Sequence, residues 1–208
     1  MDSYKSIEKE TRIEYVIEKS KFIATACPCT TEEDAANFIA RINKEFWDAT
    51  HNCTAYALGP NQEQQRSSDN GEPSGTAGKP ILEVLKKTGI TNTAIVVTRY
   101  FGGIKLGAAG LIRAYSHSAA EVIKAAPKLL HAPRQLVEVI IDYGYYGTLE
   151  RFLNANNIYY KKDFQETVIL TLYVDPKDTI QLESDITNLT TGQCHWKLKE
   201  IQLIALHE

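Results

Sequence analysis

The sequence predicts an α+β protein of two domains. Three observations carry that prediction. Strand-like and helix-like segments mix irregularly up to Ala126, a proline-bearing stretch then interrupts the pattern, and a second series restarts in the order strand, helix, strand, strand, helix, strand. A chain of 208 residues, 43% hydrophobic and 24% charged, can bury a core in each of two small domains.

The elements follow in order. Arg12–Ile17 and Lys21–Ala26 read as two strands broken at Lys19-Ser20. Thr30-x-x-Glu33 has capping-box form, and Ala35, Phe38, Ile39, Ile42 and Phe46 give the helix behind it one apolar face. His51–Gly59 reads as a strand. Pro60–Gly78 is polar, has no hydrophobic period and reads as a long functional or disordered loop. Pro80–Lys87 is predicted helical, starting near Gly75-Thr76. Thr93–Phe101 is rich in β-branched and aromatic residues and reads as a strand, and Leu106–Lys124 as a mostly buried helix. Pro127 and Pro133 make Ala126–Arg134 an extended boundary. Beyond it, Leu136–Tyr143, Ile158–Asp163, Thr167–Val174 and His195–Leu203 read as strands. Tyr145–Asn154 and Pro176–Asn188 read as helices. This βαββαβ order is the ferredoxin-like pattern.

Composition narrows the function classes. A formal net charge of −3 gives no whole-protein basic signature for nucleic acid and leaves only a local patch. No apolar run approaches the roughly 20 residues of a membrane span. The polar start MDSYKSIEKE carries no secretory signal, so Cys27, Cys29, Cys53 and Cys194 are expected as free thiols in a reducing cytoplasm. Cys27-Pro28-Cys29 lacks the C-x-x-C spacing of metal or redox motifs, and no metal or cofactor is predicted.

Two glycine-rich segments concentrate the chemistry. In the first, Ser74, Gly75, Thr76 and Lys79 would surround a helix start, where free N–H groups attract anions. It is not a P-loop, because Pro73 and Pro80 stand where that motif needs a glycine and a Ser or Thr. The second runs from strand to helix. It offers Arg99 for bidentate anion contacts, Tyr100 and Phe101 for stacking, a Gly102-Gly103 turn, and Lys105 and Arg113 as cations. Arg99 could instead pair with Asp69 or Glu72 to hold the loop. His51, Asp69 and Glu72 are the acid/base candidates. The cluster Tyr145, Tyr146, Tyr159 and Tyr160 reads as packing.

The motifs Asp69-Asn70-Gly71-Glu72-Pro73-Ser74-Gly75-Thr76-Ala77-Gly78-Lys79-Pro80, Arg99-Tyr100-Phe101-Gly102-Gly103, His51-Asn52-Cys53-Thr54-Ala55-Tyr56 and Gly110-Leu111-Ile112-Arg113-Ala114-Tyr115 resemble the signature of the IMPACT family, of the bacterial YigZ type. Asn70 stands where that family commonly has a second Asp, so no paired-carboxylate site is carried over. The resemblance implies an N-terminal domain, residues 1–129, similar to ribosomal protein S5 domain 2. It also implies a C-terminal ferredoxin-like domain, residues 130–208, similar to domains of elongation factor G. It carries no enzyme activity.

The function expected is translation-linked regulation or binding, with RNA, the ribosome or a translation factor as partner, through the glycine-rich surface of the N-terminal domain. The alternative is an enzyme acting on a phosphorylated or anionic small molecule at Gly75–Lys79 and Arg99–Gly107. Convergence of the candidate residues on one cleft would favour the small molecule, and spread over a basic face would favour RNA.

Overall fold

A computed structural model describes residues 2–207. The chain divides into two compact units, residues 2–131 with 205–207, and residues 132–204. The elements are α and β throughout: β1 (Tyr4–Ile7), β2 (Thr11–Ile17), β3 (Ser20–Pro28), α1 (Glu32–Glu45), β4 (His51–Leu58), β5 (Gln64–Ser68), α2 (Gly78–Thr88), β6 (Thr93–Tyr100), α3 (Gly107–Ala125), β7 (Lys128–Ile141), α4 (Tyr143–Ala155), β8 (Tyr159–Phe164), β9 (Val168–Val174), α5 (Thr179–Leu189) and β10 (Cys194–His207).

The first unit is built on an antiparallel sheet in the order β2-β3-β6-β4-β5. Both faces of its central strands are covered, which is why β4 and β6 are apolar along nearly their whole length. Side-chain alternation sorts them. Ala55, Ala57, Ile95 and Val97 join Phe22, Ile81, Leu85 and Tyr115 in the core of α2 and α3. Tyr56, Leu58, Ala94 and Val96 meet Ala35, Phe38 and Ile42 of α1 on the other face.

Four expectations about the elements are corrected. The capping box sits one residue later, with Thr31 as N-cap. Its hydroxyl accepts from Asp34 N–H at 3.1 Å, while the Asp34 carboxylate accepts from the N–H groups of Thr30 and Thr31 at 3.0 Å each. The loop Pro60–Gly78 contains β5, paired with β4. All of β5 is exposed, so no hydrophobic alternation marks it. Helix α2 starts at Gly78, later than Gly75-Thr76. The boundary Ala126–Arg134 is largely strand: β7 runs through it, pairing Lys128–His131 with β1 and Gln135–Ile141 with β9. The φ that proline enforces suits extended chain, so Pro133 is accommodated.

In the second unit β7, α4, β8, β9, α5 and β10 follow in the predicted order, with β7 paired to β9 and β10, and β9 to β8. Val137, Val139, Ile141, Leu170 and Leu172 pack there against Leu149, Leu153, Leu182 and Ile186.

One tight contact positions the functional region. Glu18 and Lys19 both have positive φ, 46° and 64°, and close a two-residue turn between β2 and β3. Gly102 packs directly on that turn, and a Cβ there would lie 2.0 Å from the Lys19 carbonyl. Ser20 Oγ accepts from Gly102 N–H at 3.2 Å and from the Arg99 guanidinium at 3.4 Å. Gly102 is therefore a packing glycine, and with Gly103 at φ 86° it turns the chain from β6 towards α3.

Candidate functional site

The first glycine-rich segment is not an open anion cradle. Asp69 already occupies it. Its Oδ2 accepts from Gly75 N–H at 2.8 Å, and its Oδ1 accepts from Ala77 N–H at 3.0 Å and Gly78 N–H at 2.8 Å. Burial alone would raise the Asp69 pKa, but these three backbone donors outweigh it and hold the carboxyl below its ordinary value. Asp69 thus satisfies the orphan donors of the α2 N-terminus and is not an acid/base group. Thr76 is buried and its hydroxyl donates to Pro73 O at 2.6 Å. Ser74 and Lys79 are exposed beside this closed turn.

The second segment brings a buried ion pair. Arg99, 5% exposed, donates to Glu72 Oε1 at 2.6 Å, and the Tyr115 hydroxyl donates to the same oxygen at 2.8 Å. The Arg99 guanidinium also lies 5.5 Å from the ring centres of Phe22 and Phe101. Burial, with Cys53 and Glu72 alongside, holds the Tyr115 phenol above its ordinary range, so it stays a donor. Cys53 is buried too, its thiol pushed up to about 12 chiefly by burial, which makes it inert as a nucleophile. Arg99 is therefore committed to Glu72, which is the loop-holding arrangement and leaves it no free charge for a phosphate.

His51 completes the cluster. Its Nδ1 lies 2.8 Å from the Asn70 carbonyl, which can only accept, so Nδ1 carries a proton. Its Nε2 is then turned to Glu72 Oε2, 3.8 Å away. A cleft of about 380 Å³ lies over this pair, walled by Pro73, Phe101, Leu106 and Leu111, with Lys105 and the first residues of α3 at its side. Lys105 and Leu106 also line a neighbouring cleft of about 480 Å³ that holds Arg113 and His117.

The candidate residues are thus only partly brought together. His51, Glu72, Arg99 and Lys105 share a cleft; Arg113 lies in the next one; Asp69 and Lys79 belong to the α2 start. After internal pairing, the candidate cations left over are Lys79, Lys105 and Arg113, all exposed and, among the described residues, without an ion-pair partner; of these only Lys105 and Arg113 line clefts by the start of α3. The Tyr100 hydroxyl donates to Asp48 at 2.8 Å, which ties the loop after α1 to the end of β6. That loop carries Trp47, 82% exposed, a residue sequence reasoning missed. Its signal was its position: it follows the helical period of α1 and precedes the polar Asp48-Ala49-Thr50 turn, so no core claims it. Tyr115, expected from the sequence as an aromatic beside Arg99, Lys105 and Arg113, is instead fully buried in the apolar stripe of α3 and cannot stack on a ligand. Among the described residues no cluster of His, Cys, Asp or Glu could hold a metal ion, and no helix is long and apolar enough to cross a membrane.

Comparison with known proteins places this geometry. A family model described as the Impact N-terminal domain matches residues 18–123. A Bacillus subtilis (strain 168) protein described as IMPACT family member YvyE is 42% identical over 97% of this chain and 93% of its own. IMPACT family member YigZ of Escherichia coli (strain K12) is 30% identical over 92% of each chain. Protein IMPACT of Oryctolagus cuniculus is 33% identical over 43% of this chain and 29% of its own length. A solved structure described as that of a hypothetical protein superposes with a TM-score of 0.62 at 28% identity, covering 96% of this chain and 98% of that one.

Proposed function

Because the chain belongs to the IMPACT family, we propose that it is a translation-linked binding protein of the cytoplasm that contacts RNA through the surface around the start of α3. In this reading residues 1–129 form a domain like ribosomal protein S5 domain 2. Residues 130–208 form a ferredoxin-like domain, a reading the β10-β7-β9-β8 neighbour order supports. The observation that carries the functional reading is the placement of the unpaired cations. Lys105 and Arg113 lie in two adjoining clefts that share Lys105 and Leu106, and exposed Phe101 and Ile104 stand beside them. Two cations along a strip next to the exposed Phe101 ring suit a phosphate backbone with a base laid on that ring and Ile104 packing beside it. Arg99, Gly102 and Gly103 shape the strip and do not touch the ligand.

The test is RNA filter binding and ribosome co-sedimentation over a salt series. The double variant Lys105→Glu/Arg113→Glu is expected to bind at least about 10-fold more weakly at low salt, with the salt slope reduced by roughly 2. No binding by the unaltered protein at low ionic strength would remove the proposal.

A second reading rests on one specific observation: Glu72 Oε2 and His51 Nε2 face each other at 3.8 Å and open on the cleft. An anionic small molecule with an O–H or N–H group would bridge them and place its charge by Lys105, with His51 as the general base if it reacts. The Gly75–Lys79 part of that reading is withdrawn, since Asp69 fills it. In a phosphatase and nucleotidase screen, His51→Gln is expected to lower any activity at least about 10-fold. An activity indifferent to that change does not belong to this cleft.

A further inference from the structure

We propose that the open face of the sheet in the second unit is a stacking platform for single-stranded RNA, distinct from the strip at α3. In β9, Val168, Leu170, Leu172 and Val174 are buried towards α4 and α5, so Ile169, Thr171 and Tyr173 point to the other face. The register carries the same face across its neighbours. Tyr159 of β8 and Leu136 of β7 stand opposite Tyr173, Lys161 and Glu138 stand opposite Thr171, and Asp163 and Ile140 stand opposite Ile169. Leu136, Ile140, Ile169, Thr171 and Tyr173 are partly exposed on this face, and Tyr159 is 53% exposed.

The chemistry of that face is what selects the ligand. The rings of Tyr159 and Tyr173 lie 5.1 Å apart with planes tilted by 43°, and Lys161 Nζ is 5.7 Å from the Tyr173 ring centre. An exposed ring beside a partly buried one, with an ammonium next to them, matches bases laid flat and a phosphate held between them. A four-stranded sheet with aromatic side chains on its uncovered face is a known way to read single strands, whose bases are free to splay. Of the acidic groups of this face, Glu138 pairs with Lys199 at 3.1 Å, while Asp163, opposite Ile169 and away from the tyrosines, accepts only a hydrogen bond from the Gln165 side chain at 2.7 Å. Lys161 and, by alternation from the inward Trp196, Lys197 keep their charge free; neither has an ion-pair partner among the described residues. A duplex cannot use such a platform, because its bases are already stacked.

This site does not depend on the reading of the α3 strip, and one experiment separates them. Fluorescence anisotropy of the full chain with a labelled ten-nucleotide single-stranded RNA is expected to show binding that Tyr159→Ala/Tyr173→Ala weakens at least about 10-fold, while Tyr159→Phe/Tyr173→Phe retains it. The salt slope should be shallow, about −1.4 for two contacts to a single strand. The comparison is made in the Lys105→Glu/Arg113→Glu background, where the α3 strip cannot contribute. Ultraviolet cross-linking of 4-thiouridine RNA to the unaltered protein, mapped by mass spectrometry to Tyr159 or Tyr173, tests the same contact without a folding risk. Equal binding of a duplex of the same length, or cross-links confined to residues 2–131, would overturn the proposal.

Discussion

Glu72→Ala is expected to destabilise the first unit by about 3–5 kcal/mol, the cost of leaving a buried charge uncompensated. Arg99 reaches the cleft only at its edge: it is 5% exposed, wedged between Phe22 and Phe101, and Ser20 offers only a 3.4 Å contact. Its Nε already lacks a partner, so no donor surplus absorbs the loss. The Tyr115 hydroxyl would be stranded as well, in a site where burial keeps it protonated. Arg99→Ala should cost a similar amount by leaving the buried Glu72 without its guanidinium partner, the Tyr115 hydroxyl being neutral. The pair is not thereby a large net source of stability, because both charges were desolvated to form it. Glu72→Leu/Arg99→Met should recover most of the loss, giving a coupling energy of several kcal/mol in the double-mutant cycle. Urea unfolding followed by hydrogen exchange at the β6 amides measures it. Single variants within about 1 kcal/mol of the parent would show that water in the cleft solvates the pair.

This network explains why the region was legible in outline and not in detail. β6 and α3 announce themselves, one by a β-branched run bounded by Gly102-Gly103, the other by a helical stripe from Leu111 to Ile123. The pairing of Arg99 with Glu72 was one of two arrangements the sequence allowed, because residues 27 apart meet only through the sheet. β5 gave no signal, since QQRSS is exposed on every side chain and its strand form comes from pairing with β4. β1 is four residues long and exists through its partner β7. The tyrosines were read by type. Tyr146 and Tyr160 do pack, both bonded to Glu150, while the one-residue step from Tyr160 to Tyr159 puts the latter on the opposite face. The anion cradle failed for an instructive reason: a glycine-rich turn before a helix attracts a negative group, and the chain supplies its own in Asp69.

Asp69→Asn should accordingly cost about 2 kcal/mol at neutral pH, from the loss of charge on an acceptor of three backbone N–H bonds. The amide can still accept through its oxygen, but its NH₂ would face a donor. The pH dependence fixes the interpretation. The folded-state pKa of Asp69 is lowered, with burial opposing and the Gly75, Gly78 and Ala77 N–H groups prevailing. The folded state then binds a proton less readily than the unfolded one. Its contribution is fully present above the unfolded value of about 3.9 and disappears as the pH falls through the lower folded value. Asp34 and Glu45 are lowered as well, so the total acid transition belongs to several carboxylates. The difference between parent and Asp69→Asn isolates one of them. It should be constant from about pH 7 to pH 5 and shrink below about pH 4. Amide exchange at Gly75, Ala77 and Gly78 should accelerate in the variant at neutral pH while the α3 amides change less. A stability difference that persisted unchanged at the lowest pH would mean that the three contacts do not depend on the charge.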